Sequence, residues 1–204
     1  MLSKYYMLKI SKLIGLSLLL LFCLSPNASA FIAKEVSGAG QYPYNFHIID
    51  DHVYAGGHPL NPGTDFHNSD QQVLAILNYL KSLGVRTVIN LENTSSIQDR
   101  YSKLLRSAGL NQLHIPLGAI RLPNKKEWNE ITLAMRLPVY IHCKWGADRT
   151  GAVVGRYLVE KYKFTPDQAY RSVISGGKYA GPLGGLKTSL LYDRLKRFIW
   201  SGAL

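Results

Sequence analysis

Between residues 45 and 200, short apolar runs of strand length alternate with longer stretches whose apolar residues recur at helical spacing. This alternation limits the fold more than any other feature of the chain. Asn45–Ile49 and His52–Tyr54 read as two short strands around Asp50-Asp51, with Gly56-Gly57 ending the second. A capping-box pair, Ser69 and Gln72, opens a helix in which Val73, Ile76, Leu77 and Leu80 share one face until Gly84. Val85–Leu91 is a strand of the buried type, Ser96–Ala108 an amphipathic helix stopped by Gly109, and Gln112–Pro116 another strand. Asn124, with Glu127 three residues on, caps a helix reaching Arg136, and Pro138–His142 is a strand running straight into Cys143. Residues 149–162 continue as a helix, Thr165-Pro-Asp-Gln168 opens a further one, and a last helix is expected over Thr188–Trp200. Strands joined through helices run parallel and are covered on both faces. The expectation is therefore an α/β fold: a single domain with a mostly parallel central sheet flanked by helices, entered through an antiparallel pair. No repeat, low-complexity tract or linker divides residues 31–204.

The first thirty residues follow a different logic. Lys4, Lys9 and Lys12 form a basic region, Leu13–Leu24 an apolar one, and Pro26-Asn-Ala-Ser-Ala30 ends in the small-x-small pattern that a signal peptidase reads. The apolar run is shorter than the ~20 residues a bilayer span needs. Residues 1–30 are thus expected to be a signal peptide cleaved after Ala30, leaving residues 31–204 as the exported domain, periplasmic or secreted. A lipid anchor on Cys23 is disfavoured by Phe22, which stands where a small residue should precede the modified cysteine.

Removal of that segment takes away three lysines and no acid, so the formal charge falls from +11 to +8. A basic surface suits an anionic substrate and is compatible with transient contact with a membrane surface. Nucleic acid is not the expected partner, because no helix-turn-helix, zinc finger or dense basic run occurs. Cys23 also leaves with the signal, and the remaining Cys143 has no cysteine partner in a compartment where pairs would oxidise. It is either an inert buried residue or a nucleophile.

The surrounding segment, His142-Cys-Lys-Trp-Gly-Ala-Asp-Arg-Thr-Gly151, decides between them. It lies where a strand ends and a helix begins. Five residues between Cys143 and Arg149 can curl so that backbone N–H groups point inward, and the helix adds the positive end of its dipole. Thiolate is the attacking species, and helix N-termini and neighbouring cations favour it. Arg149 offers a planar fork of donors to two phosphate oxygens. Gly146 lets the backbone approach the ligand, Thr150 can donate to the departing sulfur, and His142 is expected to orient the loop. Lys144, Trp145, Gly146, Ala147 and Thr150 are accordingly the expected substrate-binding positions.

These residues resemble the active-site signature of the cysteine-dependent protein tyrosine and dual-specificity phosphatases, His-Cys-x5-Arg-Ser/Thr. Asn45-Phe-His through Tyr54-Ala-Gly-Gly-His-Pro59, and Leu83-Gly-Val-Arg-Thr-Val-Ile-Asn-Leu91, are similar to the opening strands of compact bacterial, fungal and plant members. The resemblance implies a dual-specificity phosphatase-like catalytic domain over residues 31–204. It also implies a phosphocysteine intermediate on Cys143, hydrolysis by water in a second step, and no metal or other cofactor. A phosphorylated protein, or a phosphoinositide or inositol phosphate, is the implied substrate. Lys144, directly after the nucleophile, is similar to the lysine of members that accept phosphoinositides, and Arg121, Lys125 and Lys126, in the loop expected to overhang the pocket, can add to its cationic field; the alternative for all four is a solvated surface charge, the reading preferred for Lys125 and Lys126.

One departure stands out. The family's general acid comes from a loop some thirty residues before the cysteine, and Ile115-Pro-Leu-Gly-Ala-Ile-Arg-Leu-Pro123 holds no acid. Asp148, inside the cysteine loop, is the first candidate. Glu127 is the second, although capping already gives it a structural task. A third reading has no side-chain acid, and a weak or inactive phosphate-recognition module on the same fold is the alternative function.

Overall fold

A computed structural model of the protein describes residues 32–33, 38, 40–118, 121–175 and 193–202. The expected signal segment, its junction after Ala30, and the start of the last expected helix (188–192) lie outside these residues.

The strands are β1 (Ile32–Ala33), β2 (His47–Ile48), β3 (Val53–Gly56), β4 (Thr87–Asn90), β5 (Asn111–His114) and β6 (Val139–His142). They form one sheet in the order β1-β2-β3-β6-β4-β5. β1, β2 and β3 pair antiparallel, whereas β3, β6, β4 and β5 pair parallel. The α/β expectation therefore holds, antiparallel start included. The helices are α1 (Asp70–Ser82), α2 (Gln98–Ala108), α3 (Lys125–Ala134), α4 (Asp148–Tyr162), α5 (Pro166–Ser175) and α6 (Asp193–Ser201), with 3₁₀ turns at Pro62–Thr64 and Ser95–Ile97.

Local chemistry sets the helix ends. At α1, the Ser69 hydroxyl accepts from Gln72 N–H while the Gln72 side chain accepts from Ser69 N–H. Asn124 and Glu127 make the same reciprocal pair at α3, and Thr165 and Gln168 make it at α5. Gly109 ends α2 in the left-handed conformation at φ 71°. Two expectations need correction. The strand expected over Asn45–Ile49 is β2 and only two residues long, and Asn45, at a positive φ of 51°, breaks the extended chain at its start. The helix expected from Ser96 begins as a 3₁₀ turn and becomes α-helical at Gln98.

Alternation along the strands divides the core between the two faces of the sheet. Val53, Ala55, Ile89, Val139 and Ile141 face the layer built by α3, α4, α5 and α6. Tyr54, Val88 and Tyr140 face Val73, Ile76, Leu77 and Leu80 of α1 and Tyr101, Leu104 and Leu105 of α2. Both faces are covered, as parallel strands require. Polar ties reinforce the α3–α6 layer. Trp128 of α3 donates its indole N–H to the Glu160 carboxylate of α4, 3.1 Å away. Gly155 of α4 lies against Ile199 of α6, whose Cδ1 would stand only 2.7 Å from a Cβ at that position. Asp50, in the β2–β3 turn, accepts from Tyr157 at 2.6 Å and Tyr162 at 2.7 Å, pinning the turn to the end of α4.

Candidate active site

The pairing register places the site. Gly56, His142, Asn90 and His114 form one row across the parallel strands. Gly57, Cys143, Leu91 and Ile115 follow at the carboxyl ends, the rim at which α/β sheets hold their ligands. Cys143 is the first residue after β6, and α4 begins at Asp148, so residues 143–147 are the whole connection.

This short loop is braced from one side by the chain around β2 and β3. Asn45 Nδ2 donates to the carbonyls of Trp145 and Gly146 at 3.3 and 3.2 Å, and His58 N–H donates to the carbonyl of Lys144 at 2.9 Å. Gly146 has a φ of 68°, and a Cβ there would lie 2.2 Å from the carbonyl carbon of Gly56. Glycine is therefore required by the protein's own backbone, a constraint separate from close approach to a ligand. Ala147, the N-cap of α4, has no capping side chain, which leaves the N-terminal amides of a fifteen-residue helix for another acceptor.

Arg149 lies in the first turn of α4, with protein partners at both Nη atoms. Its Nη2 meets Glu92 Oε2 at 2.9 Å, and its Nη1 donates to the carbonyls of Leu91 and Leu117 and to Asn93 Oδ1 at 3.1–3.2 Å. Burial works against the charged guanidinium, but Cys143 and Glu92 outweigh it and hold its pKa above the ordinary value. Cys143 and Arg149 thus stand at the two ends of the turn from β6 into α4, and the sulfur favours the charge on the guanidinium. Glu92, only 1% exposed, is held below the usual carboxylate range: burial opposes ionisation, and Arg149, the Thr94 hydroxyl and the amides of Thr94 and Asn93 overcome it.

Behind the sulfur, on the α1–α2 face, three buried aromatic groups pack together. His142 Nε2 accepts from Tyr101 Oη at 3.0 Å, leaving Nδ1 to donate to the Cys143 carbonyl at 3.3 Å. Burial pushes the His142 imidazole down to about 3, with Arg149 and His114 adding to the effect. A neutral ring that orients the loop matches the expectation for this residue. His58, whose ring centre is 4.7 Å from that of His142, is likewise driven well below its ordinary value by burial and by His142 and Arg149.

The other expected site residues fall as follows. Asp148 is the first residue of α4, beside Arg149. Lys144 is half-buried, with its ammonium 3.5 Å from Asp65 Oδ1 and 4.9 Å from the centre of the Phe66 ring. Trp145 meets Tyr44 edge-on at 5.4 Å. Thr150 Oγ1 is buried and has no hydrogen-bond partner among the described residues, a rare state for a hydroxyl. Both oxygens of Glu127 are committed, one to Asn124 N–H and the other to Arg121, so this candidate acid serves as a cap.

Sequence reasoning did not find Glu92, Asn93 or Asn45. Glu92 carried one usable signal, an acid directly after a buried strand and thus at the ligand-binding rim. For metal binding, the described residues bring together a single cluster, Asp50, Asp51 and His52, in the β2–β3 turn. Asp50 there is already engaged with Tyr157 and Tyr162, and Asp51 with His52.

Known proteins resemble the chain in sequence and in fold. A family model described as "Tc-R-P: Polymorphic toxin system, DSP-PTPase phosphatase" matches residues 63–163. Over 135 residues the chain is 26% identical to the mouse (Mus musculus) protein named phosphatidylglycerophosphatase and protein-tyrosine phosphatase 1, covering 63% of this chain and 65% of the relative. The human (Homo sapiens) counterpart is 25% identical, with 62% of its length covered. The match thus spans less than two thirds of these relatives. Among solved structures, TpbA of P. aeruginosa aligns with a TM-score of 0.57 at 19% identity, covering 85% of this chain and 99% of that one. PTPMT1 aligns with a TM-score of 0.55 at 22% identity, covering 76% and 94%.

Proposed function

Taking as premise that the chain is homologous to the cysteine-based protein tyrosine and dual-specificity phosphatases, we propose that residues 31–204 are an exported phosphatase that hydrolyses phosphate monoesters through Cys143. The observation that carries this reading is the short loop that runs from Cys143, at the end of β6, into the N-terminus of α4, which no side chain caps, with Arg149 in its first turn anchored by Glu92. In the first step the Cys143 thiolate attacks phosphorus, an S–P bond forms as the ester O–P bond breaks, and Asp148 gives the leaving oxygen a proton. In the second, water attacks the phosphocysteine, its proton passes to Asp148, and inorganic phosphate and thiolate are released. Arg149 and the amides of the loop carry the charge on the transferring group.

For the substrate we propose phosphorylated protein or phosphoinositide. Support comes from relatives whose names join lipid and protein phosphatase activities, and from a related fold solved with PI(5)P. Export rests on the tripartite pattern of residues 1–30. The test is phosphate release by protein expressed from the full sequence, beside Cys143→Ser, from a phosphotyrosine peptide, a phosphoserine peptide and a phosphoinositide panel. Release that depends on Cys143 is expected. The absence of an acid in the loop before α3 favours a second reading, a recognition module; phosphate binding without release from any substrate would establish it.

A further inference from the structure

The phosphatase reading leaves open what holds the cysteine loop in shape before any phosphate arrives. A loop whose amides converge on an anion has its carbonyls turned the other way, and those carbonyls need donors. In a trans peptide the C=O and the following N–H point in opposite directions. Three consecutive carbonyls of this loop have their partners on one side. The carbonyl of Lys144 accepts from His58 N–H, and those of Trp145 and Gly146 both accept from Asn45 Nδ2. The amides of Trp145, Gly146 and Ala147 consequently face away from Asn45 and His58.

Asn45 is itself held for this task. Its Oδ1 accepts from His47 Nε2 at 2.9 Å, and that bond settles which end of the amide faces the loop, because an oxygen there would meet two carbonyls. Its backbone sits at φ 51°, a conformation that asparagine tolerates better than most residues. Asn45 is 3% exposed and His47 1% exposed, so water does not substitute for either. His47 in turn is fixed by its place in β2, opposite Ala55 of β3.

We infer that Asn45, oriented by His47, is a positioning residue that presets the amides of Trp145, Gly146 and Ala147 toward the phosphate. It touches no substrate and acts through the loop carbonyls. The inference rests on the proposed phosphatase function and adds a residue one hundred positions away from the loop it serves.

The experiment measures the dissociation constant for inorganic phosphate, together with kcat and KM on an aryl phosphate, at a temperature well below the melting point of each protein. Asn45→Asp keeps the size and the left-handed tolerance but loses the donor, and Asn45→Gly keeps only the backbone conformation. Both are expected to bind phosphate on the order of tenfold more weakly, with KM raised, while remaining folded. His47→Leu is expected to weaken binding as well, and His47→Gln, which can still donate to Asn45 Oδ1, to restore part of it. Wild-type phosphate affinity in folded Asn45→Asp, or in His47→Leu if the Asn45 variants fail to fold, would overturn the inference and leave the phosphatase reading standing. A wild-type protein that neither binds nor releases phosphate would overturn both.

Discussion

Arg149 shows how far a single residue's role can be read from its neighbours in sequence. Its spacing from Cys143 and its place at a helix start were legible because both are local. Its anchor was not, since Glu92 stands 57 residues earlier and meets it only through the pairing of β4 with β6. The consequence is testable. The Arg149 side chain is only 15% exposed, so Glu92→Ala leaves a nearly buried guanidinium without its counter-charge. Breaking such a pair costs about 3–5 kcal/mol. Urea denaturation should record a loss approaching that figure, and Glu92→Gln, which keeps the oxygen that accepts from Thr94, should lose less. Arg149→Lys keeps the charge but loses the planar fork. It is expected to lower kcat by about 10²–10³, the effect of removing one donor to a developing oxyanion. A kcat within twofold of wild type would exclude a role for the fork in the transition state.

At the scale of elements, the strap formed by Tyr44–Asn45 and Gly56-Gly57 matters as much as the cysteine loop itself. The reciprocal caps of α1, α3 and α5 were foreseen because a capping box needs only four consecutive residues. The break at Asn45 was not foreseen. The apolar pattern of Asn45–Ile49 fits a strand, and only the contact with residues 145 and 146 explains why the chain leaves the extended conformation. Gly146 joins the two elements at closest approach, and its substitution separates loop geometry from fold. In Gly146→Ala the new methyl would lie 2.2 Å from the carbonyl carbon and 2.4 Å from the oxygen of Gly56, with a φ of 68° adding strain. Neither backbone can retreat as a side chain would, so the loop must shift. The expected result is near-complete loss of phosphate release with the far-ultraviolet circular dichroism unchanged. Full activity in Gly146→Ala would mean that the strap and the loop are not in contact in solution.

For the whole molecule, the buried imidazoles tie the stability of the fold to pH. His58 and His142 sit between the α1–α2 layer and the cysteine loop, and burial lowers both below the ordinary histidine value, His142 to about 3. In the unfolded chain each takes up a proton near pH 6.5, while in the folded protein each remains neutral. The unfolded state therefore binds more protons below pH 6.5, and stability is complete above that value and falls as the pH drops toward 3. Glu92, held below its ordinary value by Arg149, adds to the loss only below about pH 4.5, where the unfolded carboxyl begins to protonate. Between pH 7 and pH 5 the histidines act alone among these three groups; His142, neutral down to about pH 3, contributes a loss of about 2 kcal/mol, and His58 adds to it in the same direction. Urea unfolding at pH 7 and pH 5 should show the combined decrease, and His58→Gln should remove the part that His58 contributes, since glutamine takes up no proton in either state. The sequence shows six histidines but not which of them are buried beside a cation. An unchanged pH dependence in His58→Gln would mean that this ring is charged, or exposed, in the folded protein. His142 also donates to the Cys143 carbonyl, and acid that protonates this ring removes its acceptor for Tyr101. Loss of phosphate release on acidification should therefore accompany unfolding, with both midpoints moving together when His58 is replaced.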